Sequence, residues 1–284
     1  MEKVTLGDVT IAYETHGTSG SPVLLIMGFT VRGRAWRFQV PALSERHRVA
    51  TFDHRGVGES DAPPGPYSMR MLAGDALALM DHLGWETAHI VGVSMGGMIA
   101  QHIALEHRER VRSVTLLATS AGGFWSRVPR GKGSWYFVKS LLGKGQGRLD
   151  AVAKLLFPPS FLAKVDRDWL VEVIRNDFGK RPPANGRRGQ LRAVMGHDTR
   201  KRLHELEGLP VLVVKPEQDL LIHPKQSERL HRLIPGSRIA RLDEAGHGLL
   251  RHAEELNDLI LDHLAAADAA WEGTGRGARV ATPA

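Results

Sequence analysis

The chain has 284 residues, 42% hydrophobic and 24% charged, which are ordinary proportions for a globular protein with one large core. It contains no cysteine, which excludes disulfides, thiolate nucleophiles and cysteine-ligated metal centres. The formal charge of +7 is unevenly spread, with 18 Lys or Arg against 6 Asp or Glu between Arg127 and Arg202; that segment matches none of the usual nucleic-acid modules, so it is expected to be a solvated basic surface, with no nucleic-acid partner.

The opening MEKVTLGDVTIAYE carries charges and no apolar run, so no secretory signal is expected and the cytoplasm is the expected location. No apolar stretch is long enough to span a bilayer. Residues 4–13 alternate around Gly7-Asp8 and predict a hairpin of two antiparallel strands. Pro22 and the run VLLIM predict a buried strand, and a helix follows from about Arg34 to Leu43 or Ser44. Residues 47–53 read as a strand ending in the turn RGVGES. Met71, Leu72, Ala76, Leu79, Met80 and Leu83 fall on one helical stripe across 68–83, and Gly84 ends that helix. A strand at 89–94, a helix at 95–106 and a strand at 111–119 continue the βαβ rhythm of a parallel sheet with helices on both faces.

The rhythm breaks after Thr119. Helical pieces at 135–142, 149–156 and 169–178 are separated by PRGKG, FPPS and RPPANGRRG, which read as turns. Strands then return at 210–219 and 237–243, with helices at 224–233 and 254–267. The predicted fold is α/β, a mostly parallel eight-stranded sheet flanked by helices. Residues 1–121 and 193–267 supply the two parts of its core, 122–192 a helical cap insertion, and 268–284 a flexible tail.

The strand at 89–94 runs straight into a helix through Gly92-Val93-Ser94-Met95-Gly96. A serine in such a G-x-S-x-G junction sits on a strained turn that lifts its hydroxyl clear of the sheet. The flanking glycines let strand and helix backbones approach. The Met95 N–H, at the helix start, is placed to face a developing oxyanion. The plainer alternative makes Ser94 a helix N-cap. A nucleophilic serine needs a base, and the base needs an orienting acid, in the chain order serine, acid, histidine. Asp219 closes the strand at 210–219. His247 follows the strand at 237–243, between two glycines.

These pieces resemble the α/β-hydrolase superfamily, and within it the small bacterial esterases, cofactor-free haloperoxidase-like enzymes, enol-lactonases and C–C bond hydrolases. The matching segments are MGF at 27–29, DHRGVGES at 53–60, GVSMGG at 92–97, PEQD at 216–219 and AGH at 245–247. The resemblance implies the α/β-hydrolase fold, with the acid at Asp219 rather than Asp243 or Glu244. It also implies a second oxyanion donor in the Phe29 backbone N–H. Asp53 and Arg55 then belong to an internal charge network. Ser94 stands where haloalkane dehalogenases and epoxide hydrolases carry an aspartate, and the HGGPG pattern of proline-cleaving aminopeptidases is absent.

The insertion is expected to cover the site. Phe124, Trp125 and Trp135 from it, and Trp36 from the other side, are the expected pocket residues. There is no H-E-x-x-H and no G-x-G-x-x-G, so neither a metal nor a cofactor is expected. The activity expected is hydrolysis of a small, neutral carboxylic ester through an acyl-enzyme on Ser94, His247 and Asp219. Lactone hydrolysis or C–C bond cleavage by the same residues, and a non-catalytic ligand-binding role, remain as alternatives.

Overall fold

The strands with continuously apolar sequences lie inside the sheet. Pro22–Ile26 (β3), Ala88–Val93 (β5) and Val211–Pro216 (β7) are buried at every position, as a parallel sheet covered on both faces requires. The computed structural model describes the chain except residues 124, 125, 127, 128, 130, 179–182 and 274–284. The remaining strands are Glu2–Leu6 (β1), Val9–His16 (β2), Arg48–Phe52 (β4), Val111–Leu117 (β6) and Arg238–Leu242 (β8). The eight run in the order β1-β2-β4-β3-β5-β6-β7-β8. The pairs β1–β2 and β2–β4 are antiparallel, and all other pairs are parallel. The fold is therefore the expected mostly parallel α/β sheet.

The described helices, in chain order, are Val40–Ser44 (α1), Met69–His82 (α2), Met95–Glu106 (α3), Lys132–Leu142 (α4), Gly145–Leu156 (α5), Pro159–Leu162 (α6), Arg167–Phe178 (α7), Ala184–Gly196 (α8), Lys225–Leu233 (α9) and Ala253–Gly273 (α10). Alternation along the strands divides the core in two. Leu24, Ile26 and Ile90 pack with Leu72, Ile99 and Ile103 of α2 and α3. Val23, Leu25 and Val91 face the other way, onto Trp36, Leu43, Ile260 and Leu264. The helices after β6 have a small core of their own, in which Leu149, Val152 and Phe157 meet Leu170 and Ile174.

Three local expectations are corrected. The single helix expected from Arg34 is a 3₁₀ turn, Gly33–Phe38, followed by α1. Pro41 lacks an N–H and fits only a first turn, so a new helix starts there. The stretch read as a turn before Leu191 holds the first turns of α8. A Cβ on Gly186 would lie 2.5 Å from Cα of Gly56, and one on Gly189 would lie 2.5 Å from the Tyr67 ring. Those glycines let the helix approach the loop after β4; they do not bend the chain. Helix α10, expected to end at Ala267, continues to Gly273. Asp268, expected to open the tail, accepts from Ser21 Oγ at 2.6 Å and Arg112 Nη1 at 2.9 Å, and lies 3.0 Å from His89 Nε2. The rest of the expected tail lies outside the described residues.

The charge network expected for Asp53 and Arg55 forms around Arg55, without Asp53. The buried Arg55 donates from Nε and Nη2 to Asp75 of α2, at 2.6 and 2.7 Å, and from Nη2 to Asp8 at 3.0 Å. Asp53 instead accepts the backbone N–H groups of Gly33 and Glu59, at 2.8 and 2.9 Å. Removing one member of a buried pair strands the other charge. Asp75→Ala is therefore expected to cost about 3–5 kcal/mol, read as a lowered urea midpoint. Asp8→Ala, at an exposed carboxylate, is expected to lower the midpoint far less. Equal effects from the two changes would refute this account.

Candidate active site

The turn from β5 into α3 is set by lack of space. A Cβ on Gly92 would lie 2.3 Å from the Gly96 carbonyl oxygen, and one on Gly96 would lie 2.0 Å from that of Ile26. Only glycine fits at either position, and Ser94 between them is held at φ 56°, ψ −117°. That is a costly conformation for a residue with a side chain. Ser94 stands at the N-cap position of α3 but makes no capping hydrogen bond with its side chain, so capping does not explain it. Its N–H donates to Leu117 O at 2.9 Å, and its carbonyl accepts from Thr119 Oγ1 at 2.7 Å. Thr119 was not singled out by sequence; a buried hydroxyl just past an apolar strand was its only signal.

Asp219 lies beyond β7, fully buried at its carboxylate. Its Oδ1 accepts the N–H groups of Leu221 and Ile222, at 2.7 and 2.8 Å, which fixes the carboxylate plane. Its Oδ2 lies 2.7 Å from His247 Nδ1. A carboxylate can only accept, so Nδ1 carries the proton and Nε2 is the basic nitrogen. Backbone bonds from Glu217 N to Leu242 O and from Gln218 N to Ala245 O hold the acid loop against the histidine loop. Gly248 N donates to Leu156 O of α5 at 2.8 Å, tying the histidine loop to the insertion. Asp243 and Glu244 are exposed.

The Met27–Gly28–Phe29 turn is held from two sides. His54 Nε2 donates to Met27 O at 2.9 Å. Gln190 of α8, fully buried, accepts from Thr30 N with Oε1 at 3.0 Å and donates from Nε2 to Arg55 O at 3.0 Å. Gln190 and His54 are positioning groups that sequence reasoning missed, since polar residues in a basic helix or turn carry no mark of burial. Among the described residues neither the Phe29 nor the Met95 N–H has an acceptor within the protein.

Ser94, Gly28, Phe29 and His247 are walls of one cavity of about 160 Å³. Apolar side chains of the insertion close it, among them Phe137, Leu141, Val152, Leu156, Phe157 and Phe178; Arg148, Asp177, Arg187 and Arg251 also line it. Among the described residues no hydrogen bond joins Ser94 Oγ to His247. Two expected pocket residues are corrected. Trp36 is fully buried in the core. Trp135 is 61% exposed, with Lys139 Nζ 5.0 Å from its ring centroid. Phe137, Ser140 and Leu141 are the α4 residues that line the cavity, and Trp135, two positions before Phe137, lies roughly 200° around the helix. Phe124 and Trp125 lie outside the described residues. Among the described residues no cluster of His, Asp or Glu could hold a metal ion, and no helix is long and apolar enough to cross a membrane.

A family model described as the alpha/beta hydrolase fold matches residues 21–250. RutD of Azorhizobium caulinodans, provisionally named a carbamate hydrolase, is 30% identical over 90% of this chain and 95% of its own length. The crystal structure of the enol-lactonase from Burkholderia xenovorans LB400 matches with a TM-score of 0.81 at 26% identity, covering 93% of this chain and all of that one. A thermophilic esterase from Thermogutta terrifontis gives 0.79 at 26% identity, covering 94% of this chain and 99% of its own.

The neutral histidine under the Met27 turn has a consequence for stability. Burial pushes the His54 imidazole down to about 4, and burial likewise lowers His263, below the sheet, to about 4. The unfolded chain takes up both protons near pH 6.5, whereas the folded chain takes them up only near 4. Stability is therefore full above about pH 6.5 and is lost as pH falls towards 4. The urea midpoint should drop between pH 7 and pH 5. The double variant His54→Gln, His263→Gln should show a shallower slope over that range. An unaltered slope would place the proton uptake elsewhere.

Proposed function

Because the chain belongs to the α/β-hydrolase family, we propose that it hydrolyses small carboxylic esters or lactones, with Ser94 as nucleophile, His247 as base and Asp219 as the acid that orients the base. The observation that carries this reading is the 2.7 Å contact between His247 Nδ1 and Asp219 Oδ2, on a cavity that also contains the strained Ser94. Ser94 Oγ attacks the substrate carbonyl carbon while His247 Nε2 takes its proton. The carbonyl π electrons move to oxygen, which the Phe29 and Met95 N–H groups receive; each such donor is worth roughly 3 kcal/mol in the transition state. Collapse breaks the bond to the alcohol oxygen, which takes the proton from Nε2. In a lactone that oxygen stays tethered to the acyl chain. Water then attacks the acyl-enzyme with the same proton path and releases the acid. The bond from serine to histidine commonly tightens only around substrate.

A second reading, hydrolysis of a carbamate by the same groups, is favoured by the 30% identity to RutD. Carbon–carbon cleavage has less support: the likeness to a meta-cleavage product hydrolase is at 23% identity and shows the fold alone. A panel of p-nitrophenyl esters, lactones and aryl carbamates assayed side by side ranks these readings.

A fluorophosphonate should label the protein stoichiometrically at Ser94, whereas a non-catalytic binding protein would stay largely unlabelled. Ser94→Ala removes a hydroxyl without opening a cavity, and should lower ester turnover by about 10⁴ or more with an unchanged urea midpoint. Retention of a tenth of the activity would sink the assignment. Asp219→Asn should lower kcat by about 10⁴ by favouring the wrong imidazole tautomer. Asp243→Asn should stay within a few-fold of the parent, and the reverse pattern would reassign the acid.

A further inference from the structure

Serine chemistry gives no task to the arginines of the cavity wall, and Arg251 among them has a buried N–H group to account for. Arg251 ends the 3₁₀ turn Leu249–Arg251, four residues beyond His247, and its side chain is only 6% exposed. Its Nη2 donates to Asp177 Oδ2 at 2.6 Å, and its guanidinium lies 4.0 Å over the Phe38 ring. Its Nη1 is buried and has no acceptor among the described residues. Asp177 cannot neutralise it alone, because its other oxygen accepts from Arg37, so two guanidiniums share one carboxylate. Asp177 is also the only acid among the described residues that line the cavity, against three arginines. Burial lowers the pKa of Arg251, to about 10, which leaves it a cation at neutral pH.

A structural role accounts for Nη2, which fixes Asp177, and for the stacking on Phe38. It does not account for Nη1. Leaving a buried donor unmade costs about 1–3 kcal/mol and more when the donor is charged, so native proteins seldom do it without a use. A carboxylate meets a guanidinium through short, charge-assisted bonds. We propose that the Arg251 guanidinium, which forms part of the cavity wall, turns its closed-off Nη1 to a carboxylate carried by the substrate away from the bond that is cut. The preferred substrates are then anionic half-esters or carboxylate-bearing lactones, in place of the neutral ester that composition suggests. The identity of the cut bond rests on the serine-hydrolase reading above; the place of the carboxylate rests on Arg251 itself.

The test compares p-nitrophenyl butyrate with mono-p-nitrophenyl glutarate, which puts the carboxylate on the acyl side. It also compares phenyl acetate with 3-acetoxybenzoate, which puts it on the alcohol side. In the parent protein one anionic ester should exceed its neutral partner at least tenfold in kcat/KM. That ratio should fall at least tenfold in Arg251→Gln and recover in part in Arg251→Lys. A neutral preference in both pairs, or an anionic preference that survives Arg251→Gln, overturns the proposal. Calorimetry of glutarate binding to Ser94→Ala reads the same site without turnover. Saturable binding that weakens at least tenfold when Arg251→Gln is added supports the proposal, and binding indifferent to Arg251 overturns it. Failure of the serine reading shows differently, as ester hydrolysis that survives Ser94→Ala while glutarate binding still depends on Arg251.

Discussion

Helix α3 starts so close to the ends of β3 and β5 that neither Gly92 nor Gly96 has room for a side chain, and the rest of the site depends on that crossing. Ser94 is caught between them at positive φ, a strain on the order of 1–3 kcal/mol. A serine on a free loop would relax out of it. Here the surroundings over-determine the conformation. β5 is paired on both sides within the sheet, Leu117 accepts the Ser94 N–H, and Thr119 and Met98 donate to the Ser94 carbonyl. The sheet carries the cost, and the hydroxyl is left free of the capping bond it would otherwise make.

The other groups reach Ser94 from loops at the same edge of the sheet, each pinned by groups outside its own loop. Asp219 has both oxygens engaged, one on its own backbone and one on His247. The turn after β3 is held by His54 from the loop after β4 and by Gln190 from α8. The histidine loop is held by the carbonyl of Leu156 at the end of α5. The 122–192 insertion that reads in sequence as a cover over the site therefore also supplies two of its supports. Loss of packing between α5 and α7 would be felt at His247, and loss of the Gly56–Gly186 approach would be felt at Thr30.

Much of this was legible in the sequence, and for physical reasons. Short, continuously apolar runs bounded by turn residues read as buried parallel strands. Ser94 and Asp219 follow such runs and His247 follows the strand Arg238–Leu242, at the strand ends where side chains can leave a sheet. What escaped depends on direction or on distant partners. The aromatic character of Trp36 and Trp135 does not say which way they point; one fills the core and the other faces solvent. The glycines at the start of α8 imitate a turn in composition, because close packing and bending call for the same residue. Asp268 sits in an Ala-rich stretch that reads as a fraying tail. Its order comes from Ser21, His89 and Arg112, the nearest of them 156 residues away in sequence. Gln190 is a polar residue among arginines until the fold places it under Thr30.

Charge shows the same difference between inventory and location. The 127–202 segment holds the chain's basic excess, yet the cation that bears most directly on the substrate in this account, Arg251, lies outside it. A solvated lysine or arginine acts through water, where two unit charges 4 Å apart interact by about 1 kcal/mol; at the effective dielectric of a protein boundary the same pair is worth about 4 kcal/mol. Salt screens the first and hardly reaches the second. One buried guanidinium whose Nη1 has no acceptor among the described residues thus outweighs many charges spread over a surface. Arg251 reaches the cavity because the chain after His247 turns at once into Leu249–Arg251, with Leu249 anchored in the core. The geometry that delivers the proposed base also delivers the proposed anion site, so in the proposed reaction the charge and the scissile bond of the substrate are placed by one short segment of chain.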